Sequence, residues 1–233
     1  MKFLAAWLSP FSWRNRATTA RRLAAFSRAE QNSQLLLNSA ARGTTDVRRK
    51  ALYLRHALDE GRHARLFRKR ALELATEAEQ GKLNFVADAD DLFEKLGERR
   101  FVAFVCLGER RGRAQFESYV EHFRRQGQRR LGRTFAVIVK DERRHESYTW
   151  QLLLEWCGGD SRKVHWLLFR ARLWEMRRDA LHFGQRTARV LYVACACLLY
   201  ASILPWAWLF RRGAETAVGL RPVTRALDQS SMP

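Results

Sequence analysis

Two stretches of the chain read Asp-Glu-x-Arg-His: Asp59-Glu60-Gly61-Arg62-His63 and Asp141-Glu142-Arg143-Arg144-His145, 82 residues apart. In each, a glutamate precedes a histidine by three positions, which sets both side chains on one face of a helix. A carboxylate beside an imidazole is a ligand pair for a divalent cation such as iron or manganese. One Glu-x-x-His is a weak signal in a chain with 15 glutamates and 6 histidines. Two of them, each preceded by Asp, are a stronger one.

The residues around these motifs read as long helices. Prolines stand only at 10, 205, 222 and 233, so 11–204 is uninterrupted. Period-two alternation is almost absent. The periodicity predicts helices over about 17–41, from a cap at Thr45 or Asp46 to about Gly81, over about 98–126 and over about 129–157. Gly43, Gly127 and Gly158-Gly159 punctuate them. The acidic segment 82–97 reads as a connection with one helical turn. Two short connections around one long one predict a four-helix bundle of two antiparallel hairpins joined by a crossover.

Steps of three and four along each helix trace the face that turns to the core. The first gives Leu23, Phe26, Glu30, Ser33 and Leu37. The second gives Tyr53, His56, Glu60, His63 and Phe67. The third gives Val102, Val105, Glu109, Gly112, Phe116, Tyr119 and Phe123. The fourth gives Leu131, Phe135, Ile138, Glu142, His145, Thr149 and Leu152. Each seam is mainly apolar and each carries a glutamate near its middle. An unpaired carboxylate in an apolar interior costs several kcal/mol, so four together require cations. Two divalent metals neutralise Glu30, Glu60, Glu109 and Glu142 and take His63 and His145 as ligands. One nitrogen per metal in an oxygen-rich site suits iron or manganese. The competing reading is a solvated face of salt-bridged acids, since each motif carries its own arginine, but it would turn the whole apolar seam outward.

Other candidates are set aside. Glu117 and Glu121 lie off the seam and are expected to pair with Arg113, Arg124 or Arg125. Glu146 is expected off the metal face. His56 reads first as a satisfied core histidine, with support of the site or lining of a channel as alternatives. Tyr119 reaches a cavity edge or packs. His122, His165 and His182 lack companions at ligand spacing.

The set Glu30, Glu60-x-x-His63, Glu109, Glu142-x-x-His145 resembles the ferritin-like carboxylate di-iron proteins, in which two helices give one Glu each and two give Glu-x-x-His. The resemblance covers about 17–157, chain layout included. It implies Glu30 and Glu109 as single-helix ligands, Glu60 and Glu142 as bridges, and His63 and His145 as caps of one metal each. It implies that Asp59 and Asp141 each hold the histidine of the opposite motif through its other ring nitrogen. The implied cofactor is two iron ions, or a manganese–iron pair. The implied chemistry is activation of dioxygen with electrons from an external donor, serving iron oxidation, peroxide reduction or C–H oxidation.

The rest of the chain narrows those outcomes. Lys and Arg number 43 against 24 Asp and Glu, a net charge of +19. That field favours anionic partners, a phospholipid surface or nucleic acid. The four cysteines (Cys106, Cys157, Cys195, Cys197) form no C-x-x-C pair, which excludes a zinc ribbon or a rubredoxin-type iron site. Residues 158–189 read as a basic amphipathic helix. Residues 190–210 carry no charge over 21 positions and are flanked by arginines, as a membrane helix is. A helix docked on the bundle, or a Pro205-kinked hairpin, is the other reading. Residues 1–16 read as an interfacial anchor and 211–233 as a tail.

The expected fold is therefore all-α: a ferritin-like bundle over 17–157, followed by basic and hydrophobic helices. The expected function is an oxygen-activating di-iron oxidoreductase, a hydroxylase or oxidase, acting on a membrane lipid or lipid-soluble substrate. Demethoxyubiquinone hydroxylases offer a functional analogy for such membrane-side chemistry. A membrane-tethered ferroxidase or peroxidase of rubrerythrin type is the second reading. A tRNA-modifying di-iron hydroxylase is the third, opposed by the apolar run. Basic residues before that run place the bundle on the cytoplasmic face. The pattern leaves a homodimer open.

Overall fold

Side chains that satisfy free amides set where the helices begin. The structure is a computed structural model that describes residue 13 and residues 15–88 and 91–217, with backbone alone at 182, 186 and 205–217. The Asn15 side chain accepts the Thr18 amide at 2.8 Å and opens α1 (Arg16–Gly43). Asp46 accepts the Arg49 amide at 2.8 Å and opens α2 (Val47–Leu74). The second helix ends seven residues before the expected Gly81. Thr76 and Glu79 form a capping box there, with the Glu79 carboxylate accepting the Thr76 amide at 2.9 Å, and start the short α3 (Glu77–Gln80). Helix α4 (Leu92–Leu96) is the single turn expected inside the crossover. The second hairpin is α5 (Glu98–Arg125) and α6 (Arg129–Trp156). Gly127, at φ +66°, makes the turn between them, a conformation that glycine adopts without a Cβ penalty.

The four long helices each have 28 residues, or about 42 Å. Helix α1 pairs with α2 and α5 with α6, and α2 meets α6 across the bundle. The fold is all-α, with seven helices and no strand among the described residues. Glu30, Glu60, Glu109 and Glu142 fall near the midpoints of their helices. They form one polar layer with apolar packing on both sides. One side gathers Leu37, Tyr53, Phe101, Cys106 and Leu152; the other gathers Leu23, Phe67, Phe116, Phe123 and Phe135. Phe135 is the hub of the second cluster, its ring 5.3–5.6 Å from those of Phe67, Phe116 and Phe123. We expect Phe135→Ala to cost about 3–5 kcal/mol of stability, read from denaturant unfolding.

Two compact units divide the chain, Met1–Glu175 and Met176–Pro233, and the division falls within α7 (Ser161–Ala217). In the first unit, the opening turns of α7 bury Val164 and Leu168 against the bundle. Arg111 of α5 forms a bidentate pair with Glu175. The segment expected to be a basic amphipathic helix thus opens with its apolar side packed on the bundle. In the second unit, the run from Val190 to Leu204 is helical and exposed, Tyr192 by 76% and Leu198 by 71%. The helix that carries this run, Ser161–Leu204 in its described side chains, is the one among the described residues long and apolar enough to cross a membrane. It continues through Pro205 to Ala217 rather than turning back as a hairpin. The anchor expected over 1–16 lies outside the described residues apart from Trp13, Asn15 and Arg16. Trp13 is buried with its ring 4.9 Å from that of Phe123. Of the expected tail, 218–233 lies outside the described residues.

Candidate metal centre

The mid-bundle layer brings together every glutamate and histidine of the two motifs. Glu30, Glu60, His63, Glu109, Glu142 and His145 are all buried. Two groups emerge, each with one ligand atom per residue lying within 4.8 Å of the others: Glu30, Glu60, His63 and Glu142, and His56, Glu60, Glu109 and His145. Glu60 belongs to both, and Glu142 to the first alone. Glu60 Oε1 lies 3.6 Å from His63 Nδ1 and 3.5 Å from His145 Nδ1. Nδ1 of His145 is 3.5 Å from Glu109 Oε2, and that of His63 is 3.8 Å from Glu142 Oε1 and 3.9 Å from Glu30 Oε2. These are separations between atoms that share an ion about 2.0–2.2 Å from each.

Unpaired polar atoms support that fit. Glu60 Oε1 and one nitrogen each of His56, His63 and His145 are buried without a hydrogen-bond partner. Buried polar groups are otherwise nearly always satisfied. Here four orphaned atoms face one another across the space that cations would fill.

The other ring nitrogen of each motif histidine is held from the opposite hairpin. His63 Nε2 meets Asp141 Oδ2 at 3.1 Å, and His145 Nε2 meets Asp59 Oδ2 at 3.2 Å. An Nε2–H donated to a carboxylate leaves Nδ1 with its lone pair toward the site. The motif arginines complete the arrangement. Arg62 donates to Asp59 at 2.9 Å and Asp141 at 2.5 Å, and Arg144 donates to Asp59 at 2.6 Å and lies 2.9 Å from Asp141. Each arginine therefore ties both aspartates together. This answers why the arginine recurs with the motif: two Asp-Glu-x-Arg-His segments build one crossed clamp. Neither Arg62 nor Arg144 is singled out by the sequence reading. The repeated position within the motif is the signal that finds them.

Among the residues set aside, Glu117 pairs with Arg113 and Arg143, and Glu121 with Arg124 and Arg125. Glu146 pairs with Arg110 and Arg113. His122 and His165 are in neither group; the side chain of His182 is not described. His56 is different, being fully buried and inside the second group.

Electrostatics divide the four acids. Burial and the charge of Glu60 push Glu30 well above the carboxylate range. Burial and Glu109 do the same to Glu142. Burial also opposes ionisation of Glu60 and Glu109, but nearby imidazoles win. His56 and His63 hold Glu60 well below its ordinary value, and His56 with His145 brings Glu109 to about 2. His56 is lowered by burial, yet Glu109 and Glu60 carry it to about 10. Without metal, protons neutralise this layer. A cation has to displace them, so the metal-bound state holds fewer protons. Metal uptake is expected to release protons and to tighten as pH rises. Calorimetry in buffers of different ionisation enthalpy measures the release.

A cavity of about 520 Å³ opens onto the layer between α1 and α5. Glu30, Glu60, Glu109 and Glu142 face it at the inner end, with Phe26, Phe116 and Tyr119 in its wall. Small residues leave the space: a Cβ on Gly108 would meet nothing within 4 Å, and one on Gly112 would come within 3.2 Å of Glu142 Oε2. Gly112 is therefore what lets the Glu142 carboxylate lie against α5.

No protein-family model matches the chain, and neither a curated protein nor a solved structure matches it significantly.

Proposed function

We propose that the protein is an oxygen-activating di-iron oxidoreductase of the ferritin-like kind, acting on a membrane lipid or a lipid-soluble molecule. The observation that carries this is the pair of buried groups sharing Glu60, with a largely apolar cavity reaching both. Glu30, Glu60, His63 and Glu142 would hold one ion, and Glu60, Glu109 and His145 the other. A bound ferrous pair supplies electrons for reducing dioxygen, with an external donor restoring them.

The chain's own residues do the rest. Asp59 and Asp141 fix the tautomers of His145 and His63, and the two arginines fix the aspartates. Phe26 and Phe116 give the passage an apolar wall on which an apolar chain can pack, and Arg22, Arg111 and Gln115 also line it and suit a polar head group. A cavity of about 520 Å³ is far larger than iron alone needs, which favours an organic substrate over a ferroxidase. The exposed apolar helix and the charge of +19 suit residence at an anionic bilayer. By the positive-inside tendency the bundle then lies on the cytoplasmic face.

The test is oxygen uptake by iron-loaded protein in liposomes with a reductant, followed by mass spectrometry of the lipids. The reading requires a lipid product and uptake that depends on lipid. Uptake driven by ferrous iron alone, with no lipid altered, would establish the ferroxidase instead. Gly108→Phe sharpens the test, because its ring projects into open space. We expect it to retain both metals and lose lipid oxidation by at least about tenfold, the effect of displacing a substrate from its reacting position.

A further inference from the structure

We propose that His56 is a seventh metal ligand, so that the two metal positions are chemically unequal. One is held by Glu30, Glu60, Glu142 and His63, the other by Glu60, Glu109, His145 and His56. This rests on the two-metal reading above and departs from the six-residue pattern that the motifs suggest.

His56 presents one ring nitrogen to the carboxylates and ties the other to a partner, as the two motif histidines do, but with the nitrogens exchanged: Nε2 faces inward where His63 and His145 turn Nδ1. Its Nε2 lies 3.3 Å from Glu60 Oε1 and 3.5 Å from Glu109 Oε1, buried and without a hydrogen bond. Its Nδ1 is 2.7 Å from the Tyr148 hydroxyl. Tyr148 thus stands to His56 as Asp141 does to His63 and Asp59 to His145. In all three rings one nitrogen is tied to a partner and the other faces the carboxylate layer. The ring of His56 lies 3.6 Å from that of His145, centroid to centroid and tilted by 30°. One ligand atom from each of the two imidazoles lies within 4.8 Å of the other and of Glu60 and Glu109 oxygens, close enough to share one ion. Tyr148 comes from α6, one turn beyond His145, and acts as a positioning residue. The inward Nε2 lies beside two carboxylates with no hydrogen bond closed to either, the arrangement the inward nitrogens of His63 and His145 also show.

The consequence is selectivity. Two nitrogens with two carboxylates suit an ion that prefers imidazole, such as ferrous iron. One nitrogen with three carboxylates suits manganese. Offered both, the protein should place iron on the His56 side and manganese on the Glu30 side.

Cobalt(II) is the probe, added to the full-length, metal-free protein in detergent. Proton NMR of the loaded protein should show three strongly shifted, exchangeable imidazole N–H signals, one each from His56, His63 and His145. His56→Gln should lose one signal and weaken one cobalt equivalent by at least about tenfold, with the other equivalent unchanged. His63→Gln should weaken the opposite equivalent. Tyr148→Phe leaves the ring in place and should move only the His56 signal. It also serves if His56→Gln fails to fold. Two shifted signals in the wild type, or two cobalt ions bound with unchanged affinity by His56→Gln, would overturn the assignment and leave the two-metal site standing. No tight cobalt binding by the wild type would overturn both.

Discussion

Glu60→Ala is expected to empty both metal positions at once. The wild-type protein should bind about two equivalents of metal per chain, and the variant close to none. Every other ligand belongs to one group, whereas Glu60 belongs to both, its Oε1 3.3–3.6 Å from nitrogens of His56, His63 and His145. Removing it takes a ligand from each ion and leaves three imidazoles without the carboxylate they surround. Glu30→Ala, by contrast, should weaken one equivalent and spare the other. Elemental analysis after dialysis against iron or cobalt separates the two patterns. Equal, partial losses in both variants would mean that Glu60 is not shared.

The second large effect has opposite signs in two assays. Glu142→Leu should abolish tight binding at one position and, without metal, stabilise the fold by about 1–3 kcal/mol. Glu142 is buried and sits among Glu30, Glu60 and Glu109, and burial and those charges keep it protonated. Leucine fills a similar volume and removes a desolvated polar group. A carboxylate kept only for structure would behave the other way, its loss lowering stability. Thermal unfolding of metal-free wild type and variant reads the sign. Adding metal should raise the midpoint of the wild type well above that of the variant. A metal-free variant less stable than the wild type would contradict this account of why the acids are there.

The sequence carried the bundle in its periodicity. Seam positions such as Leu23, Tyr53, Phe67, Phe123, Phe135 and Leu152 repeat at three and four, and they are buried in the structure. The cap at Asp46 and the breaks at Gly127 and Gly158-Gly159 are local signals, readable without tertiary contacts. The end of α2 was misread because 72–81 contains neither proline nor an early glycine. The deciding feature is the reciprocal bonding of Thr76 and Glu79, a capping box that competes with continuing the helix. The opening turns of α7 interleave basic residues with an apolar-aromatic frame, and that pattern alone does not say what the apolar face packs on. In the structure Val164 and Leu168 are buried in the bundle core, with Leu167, Ala171 and Trp174 packed against it.

The site was legible where its residues sit at fixed helical spacing and opaque where partners are distant. Glu60 and His63 announce each other at three residues. His56 is at four residues from Glu60, the same face, but its orientation depends on Tyr148, 92 residues away. The crossed clamp is of the same kind: Arg62 reaches Asp141 and Arg144 reaches Asp59 across the bundle, 79 and 85 residues apart. A surface pair within one helix and this clamp look alike in sequence, because Arg62 does also bond Asp59. The cavity depends on Gly108 and Gly112 lining it, the second turned toward Glu142 of α6, which is a matter of how helices meet and not of either helix alone.

Anomalous diffraction at the iron edge, on crystals of the iron-loaded protein, would locate the two cations proposed for the mid-bundle layer and the Glu60 carboxylate proposed to join them. Two peaks about 3.5–4 Å apart are expected, one beside His63 Nδ1 and one beside His145 Nδ1, with Glu60 between them. A map with no peak among those side chains, or with iron bound only at the protein surface, would contradict the two-cation site.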